Sequence, residues 1–226
     1  MPRYPIKTSR YSSHSQIKRI VGRGEGRELL DVGCADGTLS RHFVASGWRV
    51  VGIEPFVADA AIARAREIEV MEVTLEEAAS RLEPRFNAVV LADVLEHCAD
   101  PWALLREITT RSKPGALIVI SLPNVAHVSM RVQLLMGHFN YTDRGILDRT
   151  HLRFFTRSTV LKLIESAELR LADLTVTPTP IELVFPGLLN NAAGRGCLGL
   201  LALLTRLFPR SLGYQFILTC RVPDDE

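Results

Sequence analysis

The sequence lacks several features that would have settled its chemistry at once. Cys34, Cys98, Cys197 and Cys220 lie far apart and form no C-x-x-C pair, so disulfide-framework and thiolate-metal spacings are both missing. No two histidines stand in an H-E-x-x-H arrangement, and no metal is expected. No uninterrupted apolar run reaches the ~18–20 residues of a membrane-spanning helix. The opening MPRYPIKTSRYSSHS is polar and unlike a secretory leader. Charge of one sign is not in excess: 27 basic and 25 acidic side chains give a formal net charge of +2, so no nucleic acid is expected as a bulk electrostatic partner. Scattered thiols with no leader point to a reducing, cytoplasmic setting.

What is present is an apolar fraction of 47% in 226 residues, enough for the core of one α/β domain over 1–226. A polar lead-in occupies 1–27, with a short helix at Ser15–Val21; Tyr4, Tyr11 and His14 are read either as surface residues or as side chains folding back over the mouth of a ligand site. From Glu28 strand and helix patterns alternate, which argues for a parallel sheet with helices on both faces. The strands fall at Leu29–Gly33, Arg49–Ile53, Val70–Val73, Phe86–Ala92 and Ala116–Leu122, followed later by Leu171–Val176 and Tyr214–Val222. The helical patterns are Thr38–Ser46, Val57–Glu67, Leu75–Leu82 and Pro101–Arg111. Insertions interrupt the alternation at about 125–156 and 178–212.

The stretch Leu29–Ser40, LLDVGCADGTLS, reads as strand, glycine turn and helix start. A turn passing close beneath a ligand needs φ > 0 and no Cβ in the way. A helix N-terminus beside it offers unpaired N–H groups. The dinucleotide spacing G-x-G-x-x-G is absent. In its place stands acid-x-Gly-x-Ala-x-Gly, from Asp31 through Gly33, Cys34, Ala35 and Asp36 to Gly37. The second strand ends VVGIEP, placing Glu54 and Pro55 where a carboxylate can accept both hydroxyl hydrogens of a ribose. In an open sheet of this kind ligands sit beyond the carboxyl ends of the strands.

These residues resemble motif I and its partners in the class I S-adenosylmethionine (SAM)-dependent methyltransferases. The resemblance implies a Rossmann-like seven-stranded, mostly parallel sheet of order 3-2-1-4-5-7-6 whose last strand is antiparallel, with SAM as cofactor. It assigns the cofactor to Asp31, Gly33, Cys34, Ala35, Asp36, Gly37, Glu54 and Pro55. Glu72 and Val73 would grip the adenine, and Ala92, Asp93 and Val94 would lie against the methionine part. PNVAH followed by GHFNYTDRGILDRTHLRFFT resembles a branch of bacterial methyltransferases serving surface-polysaccharide assembly, within the group that contains the ubiquinone-biosynthesis O-methyltransferases. That implies O-methylation of a sugar or glycan hydroxyl. The alternatives are a small aromatic or quinone-like acceptor, and a non-catalytic SAM-binding regulator resembling the methionine-biosynthesis protein W family.

An oxygen acceptor must lose a proton, and histidine has the pKa best suited to take it. His151, between Asp148 and the strand ends, is the first candidate base, followed by His127 and His97. Each also has a structural reading as an orienting histidine. Asp93, Asp143 and Asp148 are the aspartates that could gather a Mg²⁺. The helix expected over Val125–Met136 presents Val128, Val132 and Leu135 at helical spacing for packing. An apolar helix at about Cys197–Phe208 suits a lid, a dimer contact or a peripheral contact with a membrane surface, where Arg195, Arg206 and Arg210 could meet lipid phosphates.

Overall fold

The computed structural model describes residues 9–83 and 85–224, so Tyr4 and the last two residues of the tail lie outside the described residues. Seven strands form one sheet: β1 (Glu28–Val32), β2 (Arg49–Ile53), β3 (Glu69–Met71), β4 (Phe86–Ala92), β5 (Ser112–Pro123), β6 (Arg170–Thr177) and β7 (Gln215–Arg221). Their order is β3-β2-β1-β4-β5-β7-β6. The strands from β1 to β5 pair in parallel, and β7 runs antiparallel to both of its neighbours. This is the expected topology.

The helices are α1 (Ser13–Val21), α2 (Thr38–Ala45), α3 (Val57–Ala65), α4 (Leu75–Arg81), α5 (Pro101–Thr110), α6 (Val128–Leu135), α7 (Arg157–Ser166), α8 (Ile181–Val184), α9 (Ala192–Leu207) and α10 (Pro209–Leu212). Side-chain caps start many of them where the sequence offers a short polar group. Thr74 caps α4, Asp100 caps α5 ahead of Pro101, and Thr156 closes a capping box on α7.

Alternation along β4 sets the layers. Ala88 and Val90 pack with the core residues of α1 and α2, whereas Val89 and Leu91 pack with those of α5 and α7. All four are fully buried, as a central parallel strand covered on both faces requires. β1 pairs with β2 on one side and β4 on the other, so the chain direction across the sheet reverses there. The crevice at that reversal opens beyond the carboxyl ends of β1 and β4.

Two insertion helices differ from expectation. α6 begins at Val128, because His127 caps it and Val125 is tied to Phe155 by a 2.9 Å backbone bond. Val128, Val132 and Leu135 do not pack: all three are exposed, Leu135 at 88%, and Met130 is the buried residue of the helix. Met130 packs with Ile146 and Leu147 of the insertion that follows, so that side of the helix faces inward and the expected stripe faces out. α9 is longer than expected, starting at Ala192 with an Asn191 cap. Leu200, Leu203, Leu204 and Leu207 on it are exposed. Among the described residues no helix is long and apolar enough to cross a membrane.

Candidate active site

The turn from β1 to α2 is left-handed three times over, at Gly33 (φ 67°), Ala35 (φ 48°) and Gly37 (φ 73°). Gly33 must be glycine for a second reason: a Cβ there would stand 2.9 Å from Cγ2 of Val94 in the loop after β4. Asp31 is fully buried at the end of β1 and accepts a 2.6 Å bond from the Ser40 hydroxyl. Burial lifts its pKa to about 7, the Ser40 bond opposes the rise, and the nearby Glu54 charge adds to it. Cys34 is buried against β2, where a Cβ on Gly52 would come within 2.5 Å of its sulfur, and burial pushes its thiol pKa far up. Asp36 accepts bonds from the Thr38 amide and hydroxyl and pairs with Arg66 at 2.9 Å.

Glu54 lies at the end of β2 with 4% of its surface exposed. Its carboxylate accepts the Ala35 amide at Oε2 and the Phe56 amide at Oε1, each at 2.9 Å. One side chain therefore clamps the glycine turn to the second strand. Pro55 and Phe56 are exposed beside it. The Glu72 carboxylate is engaged by Arg64 at 2.5 Å, and Val73 is half-buried against the core. Thus Glu72 has a cationic partner from α3, which the sequence did not suggest.

Beyond β4, Asp93 adopts a left-handed φ of 57°. Its Oδ1 accepts from the Ser121 hydroxyl at 2.6 Å and from the Gln215 amide at 2.8 Å, binding the loop to β5 and β7. Ala92 is half-buried, and Val94 is buried against Gly33. Ser40, Ser121 and Gln215 were not picked out by sequence reasoning; single hydroxyls and amides on strands and helices carry no local signature.

The three histidines part company. His127 is buried, and both of its ring nitrogens are engaged: Nδ1 with Ser129 at 2.7 Å and Nε2 with Thr179 at 3.2 Å. It works as a helix cap, and burial lowers its pKa. His97 and His151 instead lie ring to ring, 4.8 Å between centroids, although 54 residues separate them. Glu96, 1% exposed, joins them, and ligand atoms of Glu96, His97 and His151 all lie within 4.8 Å of one another. Among the described residues this is the one group of three or more His, Cys, Asp or Glu side chains that converges so closely. The aspartates considered for Mg²⁺ are not in it. Asp143 pairs with Arg149 at 2.7 Å, and Asp148 bonds to Thr150. Burial lowers the His151 pKa, the Ile146 bond opposes the fall, His97 adds to it, and the charges of Asp148 and Asp93 oppose it.

The crevice suits an adenosine-bearing cofactor on its own geometry. Glycine at 33 removes a Cβ that the packing cannot accommodate. A buried carboxylate stands at the end of β2, and with about four acceptor sites it can take hydroxyl donors as well as two amides.

Residues 8–174 match the model of a methyltransferase domain family. The chain belongs to that family. Relatives include ubiquinone biosynthesis O-methyltransferases of Alkalilimnicola ehrlichii, 37% identical over 114 residues (48% of this chain, 46% of the relative), and Aeromonas salmonicida, 28% identical over 158 residues (66% of each). The chain thus spans between about half and two thirds of the curated relatives it matches. These relatives carry quinone-pathway names, not the surface-polysaccharide branch expected from DRTHLRFFT. Among solved structures, a SAM-dependent methyltransferase from Archaeoglobus fulgidus superposes with a TM-score of 0.62 at 17% identity, covering 94% of both chains. A Haemonchus contortus phosphoethanolamine N-methyltransferase solved with SAM reaches 0.60 at 16% identity, covering 92% of this chain and 51% of its own.

Proposed function

We propose that this methyltransferase domain, one unit across 1–226, moves the methyl group of SAM onto a hydroxyl oxygen of a small phenolic or quinone-like acceptor. The observation that carries the acceptor class is the kinship to ubiquinone biosynthesis O-methyltransferases, 37% identical over 114 residues. SAM supplies an electrophilic methyl on a sulfonium, so the protein's contribution is alignment, which can lower a barrier by up to ~7–11 kcal/mol.

Each residue's part follows from its place. Asp31, Gly33, Cys34, Ala35, Asp36 and Gly37 form or brace the turn under the nucleoside, and Glu54 with Pro55 holds the ribose. Glu72 and Val73 border the adenine, Glu72 by way of Arg64. Ala92, Asp93 and Val94 line the methionine end. His97 and His151 face the acceptor end. With its pKa held below the ordinary 6.5, His151 is neutral at pH 7 and able to receive a proton.

A glycan hydroxyl is the second reading. It is favoured by a recess that combines polar groups of Ser129, Gln133, Asn140, Thr142 and Arg144 with the apolar Met130, Ile146 and Leu147, with Phe139 and Tyr141 exposed nearby. Labelled methyl transfer from SAM to a panel of catechols, hydroquinones and sugar nucleotides decides between them. Turnover confined to the phenols supports the first reading, and turnover confined to sugars replaces it.

A cytoplasmic setting is proposed with this activity, since Cys34, Cys98 and Cys220 are buried free thiols. Peripheral lipid contact through 197–208 is supported by the exposed Leu200, Leu203, Leu207 and Phe208. Co-sedimentation with anionic vesicles checks it, and a protein that stays in the supernatant refutes it.

A further inference from the structure

We infer that the recess between α6 and the insertion after it is an anion-binding subsite, taking a carboxylate or phosphate group of the acceptor with Arg144 as its counter-charge. That the anion belongs to the acceptor rests on the methyltransferase reading above; that an anion binds does not.

The recess has a volume of about 200 Å³. A whole small-molecule site has ~300–1,000 Å³, so this space suits one group of a larger ligand. Its floor is apolar: Met130, Ile146 and Leu147 are buried in one cluster, with Tyr214 packed against them. Its rim is polar and able to donate. The side chains of Gln133, Asn140 and Arg144 line it, and among the described residues none of the three has a side-chain hydrogen-bond or ion-pair partner.

Arg144 is the charged residue among those lining the recess. The carboxylates nearest to it along the chain are engaged elsewhere. Asp143 pairs with Arg149 at 2.7 Å, and Asp148 Oδ1 accepts the Thr150 amide at 2.8 Å and the Thr150 hydroxyl at 2.6 Å. The turn that carries Arg144 is held by its own backbone. The Thr142 amide donates to the Leu147 carbonyl at 2.8 Å, the Arg149 amide donates to the Thr142 carbonyl at 3.0 Å, and the Thr142 hydroxyl donates to the Arg144 carbonyl at 2.8 Å. Gly145 completes the turn at φ 97°, where a Cβ would stand 3.1 Å from the Tyr214 hydroxyl. A guanidinium on so constrained a turn has less freedom to lose on binding, and its planar fork matches two oxygens of a carboxylate or phosphate.

The recess adjoins the histidine pair. Ile146 lines it, and the carbonyl of the same residue accepts from His151 Nδ1 at 2.9 Å. Tyr214 lines it too, and the next residue, Gln215, donates to Asp93 at 2.8 Å. An acceptor with its hydroxyl at His97 and His151 and its anion at Arg144 is held at two points, which fixes its orientation. A phenol bearing a carboxylate and a sugar phosphate both offer this pair of groups. A neutral catechol or a free sugar does not.

Matched pairs of acceptors test the subsite: catechol against protocatechuate, and glucose against glucose phosphate, each with SAM and the full chain. In a pair that is methylated, the anionic member should have a KM about tenfold or more below that of the neutral one, at similar kcat. Which pair responds tells a carboxylate source from a phosphate source. Arg144→Gln should remove the advantage and leave the neutral member unchanged, whereas Arg144→Lys, which keeps the charge without the fork, should retain part of it. Arg170→Gln, the same charge change at the start of β6, should alter neither. Binding is followed separately by ligand-observed NMR with benzoate and with inorganic phosphate, and thermal unfolding shows that each variant is folded. At least one anion should bind the wild type and lose its signal in Arg144→Gln. Such a loss with no methyl transfer to any hydroxyl keeps the anion site and removes the acceptor reading. Binding of neither anion, binding and KM unaffected by Arg144→Gln, or methyl transfer with no preference for the anionic members overturns the proposal.

Discussion

At the residue scale, two positions carry most of the argument. Asp31 is a buried acid whose pKa stands near 7 in the folded protein against an ordinary 3.8. A carboxyl raised on folding binds its proton more tightly in the native state. Its contribution is therefore complete below about pH 3.8 and is lost as pH rises through about 7, by at most ~4 kcal/mol. Asn at 31 keeps an acceptor for Ser40 and has no charge to bury. Denaturant unfolding of D31N and wild type should show an advantage for D31N that grows from pH 5 to 8 and then levels off. A pH-independent difference would contradict the assignment. Gly33 is the second position. Gly33→Ala meets both a left-handed φ and the Val94 methyl at 2.9 Å, so stability should fall by about 1–3 kcal/mol together with SAM affinity. Adding Val94→Ala should return part of that loss. No recovery in the double variant would place the strain elsewhere.

At the element scale, the strands were the most readable part. β2 and β4 stand at the bounds expected, because each is a short apolar run closed by turn residues. α6 was misread for a physical reason: periodicity shows that a stripe exists, and only the packing partners, here Ile146 and Leu147 on Met130, show which side faces in. The histidine cluster was half-legible. His97 after β4 and His151 in the long loop were each candidates, but Glu96 carried no signal and nothing in one dimension shows that the two histidines meet across 54 residues. What joins the insertion to the sheet is Asn124, fully buried after β5. Its Nδ2 donates to the Gly213 carbonyl at 2.8 Å, and its Oδ1 accepts the Ala126 amide at 3.0 Å. Asn124→Ala strands both backbone groups and should cost about 1–3 kcal/mol in chemical denaturation. A loss under ~0.5 kcal/mol would mean that water replaces the side chain.

At the scale of the whole molecule, the sheet order brings the glycine turn, the clamp at Glu54 and the loop after β4 together at the carboxyl ends of the strands, and the long insertion brings His151 against His97. On the proposed function, cofactor chemistry falls to short rigid turns and acceptor chemistry to longer segments tied down by backbone bonds. This division explains why the cofactor was legible and the acceptor was not. The turn is dictated by φ and close packing, whereas the acceptor end is assembled from segments distant in sequence.

The most direct test of the account is calorimetric titration of the purified chain with S-adenosylhomocysteine, alongside Glu54→Ala and Glu54→Gln. Glu54 holds two amides at 2.9 Å and is assigned the ribose, and hydrogen bonds to a charged group contribute about 1.5–3 kcal/mol each. One site per chain is expected in the wild type, with affinity reduced about tenfold to a hundredfold or more in both variants. Absence of binding to the wild type, or equal binding by all three proteins, would contradict it.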